Sequence, residues 1–387
     1  MQNSTWNYPT EIRFGAGRVG ELASACRGLG IGRPLLVTDA FLAGRPMIAS
    51  VQRGLEGAGL PIGLFSGVRG NPTEREVASG LEALQQGRHD GVVAIGGGSA
   101  LDVGKVLAFM AGQRRPLWDF EDIDDWWTRA DGDAILPVIA VPTTAGTGSE
   151  VGRAGVITQL ATHTKRVIFH PRMMPRIAIL DPELTVDLPP NVTAATGIDA
   201  FVHCLEAFCA PAFHPLADGI AVEGMRLVKA HLPRAFADGR DLDARGHMLV
   251  AATMGATAFQ KGLGAVHALS HPVSALYDTH HGLTNGVILP YVLLHNRPEI
   301  EQKVERLARW LGIDGGFQGF IRWILDLRAA LAIPHRLAEL GVGTEQAQTV
   351  AEMAVVDPTA GGNPRRLDVG SARRLFEAAV HGDLRPN

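Results

Sequence analysis

The 387-residue chain is short of cysteine: it has only Cys26, Cys204 and Cys209, which form no CxxC pair and no even framework. A disulfide scaffold is therefore excluded, and a reducing cytoplasm is the expected setting. Charge of one sign is also lacking. The formal net charge is −4 with no basic block, so no nucleic acid or acidic membrane surface is an expected partner. No run of about 18 uncharged apolar residues occurs, which argues against a membrane span. The opening Met1–Trp6 lacks the basic-then-apolar order of a secretory signal. Aromatic residues make up only 6%, while glycine reaches 46 residues; many close backbone approaches with few large rings suit an α/β enzyme better than an all-β sandwich.

What is present is the balance of a soluble globular protein, 46% hydrophobic and 20% charged. The length exceeds what one hydrophobic core usually supports, so two domains are expected. Short β-branched runs, at Pro34–Thr38, Gly91–Ile95, Val138–Val141 and Ile177–Leu180, predict buried strands. They alternate with helical stretches near Met47–Gly59 and Ser99–Ala111, the pattern of a parallel sheet covered by helices. From Pro189-Pro190 onward the pattern turns helical, with helices predicted over Thr193–Cys209, Leu216–Ala237, Asp243–Phe259, Val266–Leu276, Glu299–Leu311, Phe317–Ala332 and Thr344–Val355. The expected fold is an α/β N-terminal dinucleotide-binding domain with a parallel sheet over residues 1–186. An all-α metal-binding domain follows over 187–387.

The strand at Gly91–Ile95 runs into Gly96-Gly97-Gly98-Ser99 and then a helix. Residues without side chains let the backbone approach a phosphate, and the helix start supplies unpaired N–H groups and a positive dipole end. The segment matches neither GxGxxG nor the Walker spacing, and an ordinary strand-to-helix turn is the alternative. Pro142–Glu150 follows another buried strand and sets Thr143, Thr144, Thr147 and Ser149 among small residues, as a polar ligand groove would require. Asp39 lies one residue past the first strand; its carboxylate could accept both ribose hydroxyls and repel a 2′-phosphate, or simply cap a helix. Three such loops at strand ends point to an unphosphorylated dinucleotide.

The helical half holds histidines at suggestive spacings. Asp199 and His203 lie four apart and share a helix face, His267 and His271 repeat the spacing, and His281 follows. One carboxylate with imidazoles suits a divalent first-row metal. Asp243 and His247 have the same spacing but straddle a predicted helix start, so they are read as a coincidence.

These residues resemble the iron-containing (group III) alcohol dehydrogenases. The matched stretches are Ile12–Gly17, Gly96–Ser99 with Asp102, Pro142–Glu150, Asp199–His203, Gly262–Pro272, His281-Gly282 and Asn363–Arg365. The resemblance implies two domains with cofactor and metal facing each other across a cleft. It implies Asp199, His203, His267 and His281 as ligands of Fe(II), or in some members Zn(II). It implies His271 as a catalytic proton-relay residue, with support of His267 as the alternative. It implies Asp39, Gly97, Gly98, Ser99, Asp102, Thr143, Thr144, Thr147 and Lys165 as contacts to NAD. Phe259 and Arg153 are candidates for the substrate site, and Arg153 could anchor a carboxylate or instead pair with Glu150 or the cofactor. Three departures stand out: His280 precedes His281 and reads as a solvated neighbour, Thr359 stands where many members carry cysteine, and Trp126-Trp127 read as a surface loop.

The implied activity is hydride transfer between NAD and a primary or short secondary alcohol, or the reverse reduction of an aldehyde. A hydroxy acid such as 4-hydroxybutyrate is an alternative substrate, and an NAD- and metal-using lyase of the dehydroquinate-synthase kind an alternative of another class. A homodimer, or a higher homo-oligomer, is expected through a strand around Glu11–Phe14.

Overall fold

The computed structural model describes residues 8, 10–162 and 164–384. They divide into two compact units, one over Tyr8–Asp187 and one beginning at Leu188.

The first unit is built on a six-stranded sheet: β1 (Glu11–Phe14), β2 (Pro34–Asp39), β3 (Gly63–Val68), β4 (Gly91–Gly96), β5 (Val138–Pro142) and the strand over Ile177–Leu180 that, counted after the hairpin below, is β8. The order is β1-β8-β5-β4-β2-β3, and every neighbouring pair is parallel. Helices α1 (Leu22–Gly28), α2 (Ala40–Ala43), α3 (Pro46–Gly57), α4 (Glu74–Gln86) and α5 (Gly98–Met110) connect the strands. Alternate residues of each central strand face opposite layers, because successive side chains of a strand point to opposite faces. Leu35, Val37, Val92, Ala94, Val138 and Ala140 pack under α4 and α5, whereas Leu36, Val93, Ile95, Ile139, Val141, Ile177 and Ile179 pack under α1 and α3. Strands buried on both faces read as continuous apolar runs, which is why β2, β4, β5 and β8 were legible.

Several elements of this unit were not anticipated, the short helices α1 and α2 among them. Edge strand β3 is only partly covered and carries two glycines in Gly-Leu-Phe-Ser-Gly-Val, so it lacks an apolar run. Helix α4 is polar on its outer face but well started, with Thr73 and Glu76 forming a reciprocal cap. Strands β6 (Ala154–Gln159) and β7 (Thr164–Phe169) form a separate antiparallel hairpin.

The second unit is helical: α6 (Pro190–Cys209), α7 (Pro215–Ala237), α8 (Leu242–Ala258), α9 (Ala265–Tyr277), α10 (His281–Trp310), α11 (Gly316–Ala330), α12 (Ala347–Val356) and α13 (Val369–His381). Helix α6 is central and packs against α7, α8 and α10. By length and composition α6 could cross a membrane, but 89% of its most apolar window is buried inside the protein, and it carries Asp199, His203 and Glu206. The sequence predicted only Glu299–Leu311 where α10 runs unbroken for 30 residues through Pro290 and Pro298. Proline removes a backbone hydrogen bond and suggests a break, yet burial of Ile288, Leu289, Tyr291, Val292 and Leu293 holds the helix through it. Helix α13, also not anticipated, starts at a cap in which Asp368 accepts the Ser371 N–H at 2.7 Å.

Candidate metal centre and nucleotide loops

In the helical unit, the 3.6-residue period places Asp199 and His203 on one face of α6, while α9 contributes His267 and the first residue of α10 is His281. Asp199 Oδ1 lies 4.0 Å from His203 Nε2, 3.9 Å from His267 Nε2 and 3.8 Å from His281 Nε2. Tetrahedral coordination with bonds of about 2.0–2.2 Å needs donor–donor edges of about 3.3–3.6 Å, so the three spacings to Asp199 exceed that edge by only a few tenths of an ångström. Asp199, His203 and His267 are buried, and each of the three offers a donor atom within 4.8 Å of the other two. One carboxylate and three imidazoles match a borderline divalent cation such as Fe(II) or Zn(II), so the donor set fits the metal expected from the sequence. His280 is exposed and caps α10 through its carbonyl, which accepts the Thr284 N–H at 3.0 Å.

Close helix packing makes the convergence possible. A Cβ on Gly282 would fall 2.3 Å from the Ala195 carbonyl oxygen and 2.9 Å from Asp199 Cβ, so glycine after His281 lets α10 press against α6.

A second layer of polar groups surrounds the donors. Asn285, fully buried one turn after His281, donates Nδ2 to Asp199 Oδ1 at 2.7 Å, and its Oδ1 has no protein partner. His281 Nδ1 is 3.2 Å from Ser270 Oγ, and His267 Nδ1 is 2.6 Å from Glu206 Oε2. Burial opposes a charged His267, but the hydrogen bond and charge of Glu206, with Asp199 and Asp357, outweigh it and hold the pKa above the ordinary histidine value. Glu206, Asn285 and Ser270 were missed in the sequence. Glu206 had a signal, since Asp199, His203 and Glu206 follow an i, i+4, i+7 pattern on one stripe of α6.

His271 is adjacent. Its ring stacks on His281 at 5.3 Å between centroids, and its Nδ1 lies 2.8 Å from Asp357 Oδ2. Burial pushes the Asp357 carboxyl up, but His271 and the Thr359 hydroxyl and N–H bring it below the usual range. Thr359, at the position where many members of the resembling family carry cysteine, thus has a different job: its Oγ1 donates to Asp357 Oδ1 at 2.5 Å. Phe259 sits 5.2 Å from the His203 ring. Cys204 is wholly buried, with its thiol pushed up to about 12 by desolvation.

Asp243 and His247 gain a third neighbour, His231 of α7. The two imidazoles stack nearly parallel, 3° apart at 3.9 Å, so their in-plane lone pairs cannot meet at one ion. Arg234 already supplies a cation there, 3.0 Å from Asp243 and 2.8 Å from Asp241.

In the α/β unit, the expected nucleotide residues gather at strand ends. The sheet order changes direction between β2 and β4, and ligands of open α/β sheets bind outside the carboxyl ends of strands at such a switch. Asp39 ends β2; its Oδ1 caps α2 by accepting the Leu42 N–H at 2.9 Å. Gly96 ends β4 at φ 152°, a conformation that L side chains rarely adopt. Gly97 and Gly98 open α5, with Ser99 in its first turn. The threonine loop lies directly on them: a Cβ on Gly98 would meet Thr147 Cγ2 at 2.7 Å, and one on Gly97 would meet Thr144 at 3.5 Å. Thr143 is buried and donates its N–H to the Gly96 carbonyl at 2.9 Å.

Asp102 lies on the second turn of α5. Its carboxylate accepts from Ser149 Oγ at 2.5 Å and the Val156 N–H at 3.0 Å, and it faces buried Lys105 at 3.2 Å, so it braces α5, the threonine loop and the hairpin. Lys165 lies on β7 opposite Thr158. Arg153 precedes β6, with its guanidinium 5.5 Å from the Phe169 ring centre. Burial raises the Asp122 carboxyl and Arg153 nearby partly counters it. Trp126 and Trp127 occupy a half-buried 3-10 turn, where Arg129 covers Trp126 at 3.9 Å and Trp127 meets His170 edge-on at 5.7 Å.

Comparison with known proteins yields matches to both units. The family model for iron-containing alcohol dehydrogenase matches residues 9–182, and the model for the C-terminal part of the Fe-containing alcohol dehydrogenase family matches 193–380. The chain is 38% identical to 4-hydroxybutyrate dehydrogenase of Cupriavidus necator, across 96% of this chain and 99% of that protein. It is 33% identical to NAD-dependent methanol dehydrogenase of Bacillus methanolicus, across 96% and 98% respectively. Among solved structures, 1,3-propanediol oxidoreductase superposes with a TM-score of 0.92 at 34% identity, covering 97% of this chain and all 100% of that one.

Proposed function

The chain belongs to the iron-containing alcohol dehydrogenase family, and from that membership we propose that it is a metal-dependent, NAD-linked dehydrogenase of small alcohols that also runs as an aldehyde reductase. The observation that carries the proposal is the convergence of His203, His267 and His281 Nε2 on Asp199 Oδ1 within 3.8–4.0 Å. These four side chains would hold the cation. When bound, a divalent ion supplies Lewis acidity that lowers the pKa of an alcohol hydroxyl, and NAD supplies the hydride acceptor.

The chain's own residues do the rest. Asn285 holds Asp199 in orientation through its amide. His271, with Nδ1 fixed by Asp357, presents Nε2 to carry away the hydroxyl proton in oxidation and return it in reduction. Asp39 takes the ribose hydroxyls with the carboxylate oxygen that does not cap α2, and the N–H groups opening α5 beside Gly97, Gly98 and Ser99 take the phosphates. Thr143, Thr144, Thr147 and Lys165 complete the cofactor contacts, and Phe259 borders the substrate. Anaerobic reconstitution with Fe(II) or Zn(II), followed by reduced nicotinamide formation over a panel of alcohols, tests the proposal. Metal-stripped protein with full turnover would overturn it.

A second reading narrows the substrate to an ω-hydroxy acid. It is favoured by the 38% identity to a 4-hydroxybutyrate dehydrogenase and by a cationic Arg153, whose planar fork suits a carboxylate. Arg153→Ala should then lose 4-hydroxybutyrate turnover while keeping 1-butanol turnover; an unchanged preference rejects the anchor. The relatives compared are dehydrogenases, which leaves the lyase alternative without support. We further infer a reducing compartment for the protein and a homodimer formed along β1, an edge strand with Ile12 and Phe14 exposed. Sedimentation as a monomer at micromolar concentration would reject the dimer.

A further inference from the structure

Helix α9 carries His267 in its first turn, where backbone N–H groups have no intrahelical acceptor. Its N-cap is Gly264, which has no side chain to serve them. Two distant residues do so instead. Asn363 Oδ1 accepts the Ala265 N–H at 3.1 Å, and Glu206 Oε1 accepts the Val266 N–H at 2.7 Å. A Cβ on Gly264 would fall 2.9 Å from both acceptor atoms, so only glycine leaves room for them. The second oxygen of Glu206 meets His267 Nδ1 at 2.6 Å. One carboxylate, 7% exposed, therefore spans a helix start and the ring of a metal-site histidine. It comes from the same face of α6 as Asp199 and His203, so a single helix offers two donors and the acceptor that orients a third.

We propose that Glu206 is a positioning residue for the metal: its Oε2 accepts a hydrogen bond from His267 Nδ1–H, which fixes the tautomer whose Nε2 lone pair points toward Asp199 and makes that imidazole a stronger donor. This rests on the metal-dependent reading above. The chemistry is that of a carboxylate behind a metal-bound imidazole, where loss of the partner weakens affinity by about 10–100-fold. Glutamine at this position replaces one carboxylate oxygen with an NH2, so a donor would face either Val266 N–H or His267 Nδ1–H, each of which now has its own oxygen. Asn363 is the internal control, because it caps the same helix without touching the His267 ring.

The test measures Co(II) affinity of chelator-treated full-length protein by competition with a chromophoric chelator, together with the visible Co(II) spectrum and the melting temperature of the metal-free protein. Glu206→Gln should weaken Co(II) binding by about 10–100-fold and shift the absorption bands, which report the ligand field. Asn363→Ala should lower the metal-free melting temperature with Co(II) affinity and spectrum kept near wild type. Glu206→Gln with wild-type affinity and spectrum overturns the inference. So does an equal loss of affinity in both variants, since that marks a helix cap and nothing more. If Glu206→Gln does not fold, Glu206→Asp, one methylene shorter, takes its place with the same expected direction and the same overturning result. Wild-type protein that binds no Co(II) overturns the metal reading itself, a result distinct from wild-type binding with unaltered variants.

Discussion

The two units use burial in opposite ways. In the α/β unit the sheet interior is almost wholly apolar, and apart from Lys165 on β7 the groups assigned to the nucleotide sit at or just after the ends of β2, β4 and β5. In the helical unit the polar groups lie inside, on helices: Asp199, His203, Glu206, His267, Ser270, Asn285 and Asn363 are all buried. A parallel sheet can finish its core before the chain reaches the ligand, so its site tolerates change without loss of fold. A helical bundle with ligands on inward faces builds its site out of its core, and a buried polar group without a partner is costly. Metal binding and folding should therefore be coupled in one unit, and nucleotide binding and folding nearly independent in the other.

The sharpest way to break this contrast is Asp199→Ala, which removes the oxygen that lies within 3.8–4.0 Å of His203, His267 and His281 Nε2. Turnover should fall to background and metal should be lost, while the protein still binds NAD, as measured by quenching of intrinsic fluorescence. Retained metal would contradict the contrast. Metal removal comes next: a ligand at a thousandfold excess over its Kd stabilises by about 4 kcal/mol. Calorimetry should show the chelated protein melting earlier, with protease cleavage on warming confined first to residues beyond Leu188. Equal loss of both units would argue for one cooperative body. Gly98→Ala places a methyl against Thr147. It should raise the KM for NAD about tenfold, about 1.4 kcal/mol of binding, with metal content unchanged.

The smallest effect concerns a buried cation in the helical core. Lys261 donates to the Phe208 carbonyl at 3.1 Å and pairs with Asp218, and burial pulls its ammonium from 10.5 down to about 8. The folded chain gives up this proton first, so between pH 8 and 10.5 the unfolded chain binds more protons and this group's contribution to stability rises with pH. The melting temperature of wild type should rise relative to Lys261→Met across that window. A relative fall would show that the ion pair with Asp218 outweighs desolvation.

The same contrast explains what could be read from the sequence. Central strands β2, β4, β5 and β8 are apolar runs and announce themselves, while edge strand β3 and the β6–β7 hairpin, half-exposed and polar, do not. Spacing placed Asp199 with His203, and the resemblance supplied His267 and His281; the structure brings these from two other helices to within 3.9 and 3.8 Å of Asp199, a convergence that no local pattern encodes. Residues that hold the donors were harder still. Glu206 continues a visible stripe, but Asn285 gains meaning only once α6 and α10 are packed together. Asp102 was picked out by its place in the glycine-loop motif, and its contacts with Ser149, Val156 and Lys105 became visible only once α5, the threonine loop and the hairpin were packed together.

X-ray absorption at the metal edge of the Fe(II)- or Zn(II)-reconstituted protein tests the central claim most directly. The account predicts a shell of nitrogen and oxygen donors at about 2.0–2.2 Å with the multiple-scattering signature of three imidazoles, reduced to two in His281→Ala. A shell with no imidazole scattering, or one that His281→Ala leaves unchanged, would contradict it.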